Sequence, residues 1–189
     1  MKEMEMALTN TPVIEFGLKA PDFYLLGVDG QYYSLANCSK KNGLLVMFIC
    51  NHCPYVKAVL PRLIEDVGAL LVAEIGCIAI SANDPAEYPE DSYDNMQKVS
   101  KTMRFPFPYA FDESQAVAKD YGAVCTPDFF GYNSNLELQY RGRLDESGMK
   151  PAPAGSKREL LEAILQIAKT GKGPQMQVPS QGCSIKWRF

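Results

Sequence analysis

Apolar residues run unbroken from Leu44 to Ile49, between a polar turn (Ser39, Lys40, Lys41, Asn42, closed by Gly43) and the step Cys50-Asn51-His52-Cys53. A run that short, bounded by a turn, reads as a buried strand. Pro54 then opens a different rhythm. Val56, Val59, Leu60, Leu63 and Ile64 share one helical face, and proline is tolerated in a first turn because no intrahelical N–H bond is lost there. The helix is expected to reach about Glu74 and to bend, not end, at Pro61. Gly76–Ser81 is a second short apolar run, expected as a parallel strand beside the first through a right-handed crossover.

Upstream, Phe16–Leu26 alternates weakly, Val28-Asp29-Gly30-Gln31 signals a hairpin turn, and Tyr32–Leu35 is the expected return strand. Downstream, Asn83–Asp91 reads as a polar loop and Ser92–Met103 as an amphipathic helix carrying Met96, Val99 and Met103. Phe105–Phe111 is broken by Pro106 and Pro108, which allows an edge strand at best. Glu113–Tyr121 reads as a short helix stopped by Gly122. Phe129–Tyr132 and Leu136–Arg141 flank Asn133-Ser134-Asn135 as a hairpin, Leu144–Ser156 is a connection, and Lys157–Thr170 is the last helix. Ile185, Trp187 and Phe189 alternate with Lys186 and Arg188, while Met1–Thr11 has no period and reads as a loose arm. The pattern predicts an α/β protein, a mixed central β-sheet flanked by helices on both faces. It divides into an arm (1–15), one domain (16–170) opening on an N-terminal hairpin, and a C-terminal tail packed on that domain (171–189).

Composition narrows the function classes. With 189 residues, 47% hydrophobic and 22% charged, the chain is an ordinary globular domain. A net charge of −3 argues against nucleic acid or an anionic membrane as partner. No apolar run approaches the length of a membrane span, and Met1–Glu15 has no apolar core of signal-peptide length. Six cysteines, only Cys50 and Cys53 closely spaced, do not make a disulfide scaffold. A cytoplasmic, redox-active protein is expected.

The chemistry concentrates in Cys50-Asn51-His52-Cys53. At the end of a strand and the start of a helix, unpaired N–H groups and the helix dipole favour thiolate. A thiolate attacks a disulfide, and a second thiol resolves the mixed disulfide. One Cys-x-x-Cys supplies two of a zinc site's usual four ligands, so no metal is expected. His52, the chain's only histidine, lies between the thiols, where a ring charge would stabilise thiolate.

Strand, Cys-x-x-Cys and helix, with Cys125-Thr126-Pro127-Asp128-Phe129-Phe130 downstream, resemble the thioredoxin superfamily. Ala20-Pro21-Asp22-Phe23, Asp29-Gly30 and Ser34-Leu35 resemble the opening of its peroxiredoxin and TlpA-like branch (AhpC/TSA). Together with Cys50–Val56 and Gly182–Trp187, these motifs are similar to those of a peroxiredoxin-like group. The resemblance implies a thioredoxin-like fold, Cys50 as the more exposed, attacking thiol, Cys53 as the resolving one, and no cofactor beyond a Cys50–Cys53 redox disulfide. It implies a cis Pro127 that presents the backbone of Thr126 to an extended substrate, and a His52 typical of the more oxidising members. The implied partners are protein or small-molecule thiols and disulfides and a cellular reductant, with the chain a monomer or homodimer.

The chain departs from both parent patterns. The peroxiredoxin pattern P-x-x-x-T-x-x-C puts Cys53 in the attacking position, with Cys50 in place of threonine, Val46 in place of proline, and Thr126-Pro127 where an arginine is used. Thioredoxins place a buried acid on the strand before the motif, and Leu44–Ile49 has none, which leaves His52, water or Lys57 for proton transfer. Three functions follow: a thiol–disulfide oxidoreductase, a thiol peroxidase with Cys53 attacking and Cys50 or Cys183 resolving, and a copper or zinc carrier needing Cys125 or Cys183 as a further ligand. Cys183 is a candidate third redox thiol; alternatively it is inert while Trp187 docks the tail. Cys125 is expected to be a packed small hydrophobe.

Overall fold

The computed structural model describes residues 8–188. In chain order its elements are β1 (Leu8–Asn10), β2 (Tyr24–Gly27), β3 (Tyr32–Ser34), α1 (Leu35–Cys38), β4 (Leu44–Phe48), α2 (Pro54–Val72) and β5 (Gly76–Ser81). A 3-10 turn, Pro89–Asp91, follows, then α3 (Tyr93–Met103), β6 (Tyr109–Phe111), α4 (Ala116–Asp120), β7 (Cys125–Thr126), β8 (Asp128–Tyr132), β9 (Leu138–Tyr140), α5 (Glu159–Thr170) and β10 (Gln181–Ser184). Among the described residues, no helix is long and apolar enough to cross a membrane.

Seven strands form a mixed sheet in the order β3-β2-β6-β5-β4-β8-β9. β4 is buried at every residue because it is covered on both faces, the condition that an unbroken apolar run reports. It pairs parallel with β5, from Leu44↔Gly76 to Phe48↔Ile80, and antiparallel with β8, from Leu44↔Tyr132 to Phe48↔Asp128. Its side chains alternate between two cores. Leu45, Met47 and Ile49 join Val56, Val59, Leu63, Val67 and Leu70 of α2 and the apolar face of α5. Leu44, Val46 and Phe48 meet Phe23, Tyr121 and Phe130 on the other face. The α2 helix continues through Pro61, whose ring is exposed, so the lost N–H bond faces water.

Two expectations are overturned. β6 is not an edge strand: it lies between β2 and β5. Pro106 and Pro108 fall before it, and the Pro108 carbonyl accepts from Ala79 N–H at 2.9 Å, so no ladder bond within the strand is lost. Nor is the arm loose where it is described, since Leu8–Asn10 pairs antiparallel with β10; the expectation for residues 1–7 lies outside the described residues, as does that for Phe189.

The order β1-β10-β7 makes a second, three-stranded sheet from both ends of the chain and the segment before Pro127. Beyond it, Ile185 N–H donates to Val124 O (3.1 Å) and Lys186 N–H to Asn83 Oδ1 (2.9 Å). Ile185 and Trp187 pack together on the Phe48 side, as their alternation predicts. β10 can lie this close because residue 182 is glycine: a Cβ there would stand 2.0 Å from Thr126 O.

Gly182→Ala should therefore lower stability by roughly 1–3 kcal/mol in urea unfolding, the usual cost of overpacking. Gly68→Ala, on α2 with open space around it, should instead raise stability, by up to about 1 kcal/mol, through helix propensity. Equal effects at the two positions would contradict the close approach of β10.

Candidate active site

Past the end of β4 the chain carries Cys50, bends at Asn51 and His52, and starts α2 with Cys53 as N-cap and Pro54 in the first turn. Proline has no N–H to leave unpaired, so the helix can begin directly behind the thiol. From the opposite side comes β7, ending in Thr126 and a cis bond to Pro127. Thr126 Oγ1 lies 3.2 Å from Cys50 Sγ, and Thr126 O lies 3.2 Å from Cys53 Sγ. The third side is β10, where the pairing Cys183↔Thr126 puts Cys183 Sγ 3.0 Å from Cys53 Sγ. The structure thus brings Cys50, His52, Cys53, Thr126, Pro127 and Cys183 to one place.

Both sulfurs are covered: Cys50 is 2% exposed, and Cys53 is 0% exposed. Their surroundings favour charge on Cys53. The hydrogen bond from the Cys50 thiol outweighs burial and, with the Cys183 thiol and the Val56 and Cys183 amides, lowers Cys53 to about 5. The Val56 amide acts without closing a full capping bond. Burial pushes Cys50 well above the usual thiol range, reinforced by the Cys53 hydrogen bond and the Asp91 charge and opposed by the Thr126 hydroxyl. Thr126 O accepts a hydrogen bond from Cys53 when Cys53 is a thiol and therefore works against charge there.

Asp91 is the residue that sequence reasoning missed. It is 0% exposed and lies on the 3-10 turn before α3. Its Oδ1 accepts from the amides of Asn51 (2.7 Å) and His52 (3.1 Å); its Oδ2 accepts from Asn83 Nδ2 (2.8 Å) and His52 Nδ1 (2.5 Å). Burial opposes its charge, but the His52 and Asn83 hydrogen bonds, the His52 ring and the Asn51 amide hold its carboxyl below the usual range. In sequence, Asp91 reads only as the last residue of the polar loop Asn83–Asp91, and nothing marks it as buried.

His52 accordingly serves Asp91 before Cys50. Its Nδ1 is 2.5 Å from the carboxylate and 3.8 Å from Cys50 Sγ. Tyr88 stacks on the ring at 4.5 Å between centroids, and the buried Nε2 has no hydrogen-bond partner among the described residues. Cys50 Sγ, His52 Nδ1 and an Asp91 oxygen lie within 4.8 Å of one another, a three-donor cluster that could hold a metal. The four N–H donors on Asp91 already account for it. Cys125 is fully buried, and burial pushes its thiol up, which fits an inert packing role. Lys57 is exposed. A groove of about 600 Å³ runs past Tyr55, Val59, Pro127 and Gln181.

Reduced protein should show one thiolate in its ultraviolet absorbance that protonates only as pH falls through about 5. Cys53→Ser should remove this transition, and Cys50→Ala should move it upward because the largest stabilising hydrogen bond is gone. A transition lost in Cys50→Ala and kept in Cys53→Ser would place the charge on Cys50.

Comparisons with known proteins place the fold and the family. An uncharacterized conserved protein from Geobacillus kaustophilus is similar at 39% identity over 98% of both chains, with a TM-score of 0.90. A hypothetical protein from Sinorhizobium meliloti is similar at 35% identity over 95% of this chain and 98% of that one, with a TM-score of 0.86. A thiol:disulfide interchange protein of the thioredoxin family from Chlorobium tepidum, 16% identical, shares the fold over 82% of this chain and 99% of its own, with a TM-score of 0.62. No curated protein matches. The AhpC/TSA family model matches residues 16–147, which span β2 to β9 and both motif cysteines, and the chain belongs to this thioredoxin-fold redoxin family.

Proposed function

We propose that this protein is a thiol–disulfide oxidoreductase that cycles the Cys50–Cys53 pair between dithiol and disulfide. One observation carries the reading: Cys50 and Cys53 stand together at the start of α2, their sulfurs each 3.2 Å from an oxygen of Thr126 beside Pro127, with surroundings that lower Cys53. The thiolate, not the thiol, is the nucleophile. Cys53 therefore attacks the substrate disulfide and Cys50 resolves, the reverse of the order that the thioredoxin resemblance implies. Attack removes the charge from Cys53, and with it two of the causes that keep Cys50 protonated. Both sulfurs are covered, so reaction takes a local opening, which favours small or unfolded disulfides over folded ones. The reductant is a cellular thiol, in keeping with a cytoplasmic setting.

The peroxidase reading has one observation in its favour. Cys50 gives the Cys53 thiolate the hydrogen bond that the peroxiredoxin pattern assigns to a threonine hydroxyl. Against it, Arg141 is buried, but it donates to Asp128 and the Gly122 carbonyl.

Purified protein with glutathione should catalyse reduction of a hydroxyethyl disulfide, and Cys53→Ser should abolish the activity. Peroxide consumption should stay near that of an unactivated thiolate; fast peroxide turnover surviving in Cys50→Ser would install the peroxidase instead. The reduction potential supplies an independent check. Below pH about 5 reduction takes up two protons, so the potential should fall by about 59 mV per pH unit. Above it Cys53 stays ionised, one proton is taken up, and the slope should halve to about 30 mV per pH unit. A single slope from acid to neutral pH would contradict a Cys53 thiolate.

A further inference from the structure

We propose that Cys183 is a second resolving thiol of this site, forming a Cys53–Cys183 disulfide as the alternative to Cys50–Cys53. The inference rests on the oxidoreductase reading and adds the tail to its machinery.

Register supplies the first argument. Side chains alternate faces along a strand, so a slip of one residue would turn residue 183 away from the thiols. β10 is pinned against such a slip from both edges, by Leu8↔Cys183 on β1 and by Cys183↔Thr126 on β7. Thr11 N–H donates to Ser180 O (2.9 Å) and Ser180 Oγ to Pro127 O (2.7 Å) just before the strand. Gly182, where a Cβ would strike Thr126 O, lets the strand approach closely enough for Cys183 Sγ to reach 3.0 Å from Cys53 Sγ. β10 thereby takes the Thr126 backbone edge that the family resemblance offers to an extended substrate. The thiol opposite that edge is the chain's own.

Charge supplies the second argument. Burial, and then the Cys53 hydrogen bond and charge, raise the Cys183 thiol to about 12, while Lys186 works to lower it. Once Cys53 is in a mixed disulfide with substrate, the two Cys53 contributions vanish and the lysine remains. Cys183 becomes more acidic at the step that needs it. It gives up its proton and its sulfur attacks the Cys53 sulfur. The Cys53–Cys183 bond forms, the bond from Cys53 to substrate breaks, and the substrate thiolate leaves and takes up the proton. The substrate disulfide has then gained two electrons and the protein has lost two.

The test is oxidation of the full chain with one equivalent of Ellman's reagent, followed by acid quench, alkylation in denaturant and peptide mapping. Cys50→Ser, which keeps a hydrogen-bond donor beside Cys53, should release both thionitrobenzoate groups and yield Cys53–Cys183. The Cys50→Ser/Cys183→Ser double variant should release one and retain the other on Cys53. Wild-type protein, which needs no substitution to fold, must also contain the Cys53–Cys183 peptide pair. Its absence from wild type, or a Cys50→Ser protein that stops at the mixed disulfide, overturns the inference. Formation of Cys50–Cys53 in Cys183→Ser would then show that the oxidoreductase reading survives alone. Failure of Cys53 to react in every protein overturns both.

Discussion

A single buried carboxylate sets the shape of the redox site. Asp91 collects donors from Asn51, His52 and Asn83, and a buried charge is tolerable only when its hydrogen bonds are satisfied. Three of those four donors come from the bend between Cys50 and Cys53, so satisfying Asp91 and shaping the dithiol are the same event. The carboxylate also stands close enough to Cys50 to oppose a second negative charge. It thereby helps to settle which sulfur carries the thiolate. Charge-assisted bonds of this kind are roughly twice as strong as neutral ones, which suits a loop that must keep its geometry through repeated oxidation.

Around that bend, the thiols form a chain of three with Cys53 at its centre. Cys50 and Cys183 reach it from opposite sides, one from the strand-to-helix turn and one from the tail. The roles differ because the surroundings differ: Asp91 and Thr126 attend Cys50, whereas Lys186 attends Cys183. Identical side chains acquire different acidities through neighbours that are distant in sequence.

The parts of this architecture with strong local signals were legible beforehand. The apolar run Leu44–Ile49, the helical face from Val56 to Leu63 and the run Gly76–Ser81 announced β4, α2 and β5, because burial on two faces or one leaves a period in the sequence. The dithiol and the Thr-Pro step followed from short motifs. What stayed hidden has no period to read. Leu8–Asn10 and Gln181–Ser184 are short and poor in apolar residues, and they become strands only through distant partners, β1 on β10 and β10 on both β1 and β7. β6 was demoted on account of two prolines that precede it. Asp91 looks like any acid of a polar loop, and its burial comes from the Asn51–His52 bend and Asn83, which donate to it. Nor does the local sequence show that the amide and thiol of Cys183, from its far end, join Cys50 in lowering Cys53.

That last dependence orders events during synthesis. Contacts between distant segments form late, after their loop-closure entropy has been met, and nascent chains fold from the N-terminal side first. The strands of the main sheet end at β9 and α5 covers one of its faces, so the Cys50–Cys53 turn can take shape while β10 is still unpaired. Until residues 181–184 pair, Cys53 lies bare at the start of α2, without the strand that covers it and without the third sulfur. Before that pairing the site is a simpler dithiol, and β10 is the piece that closes it.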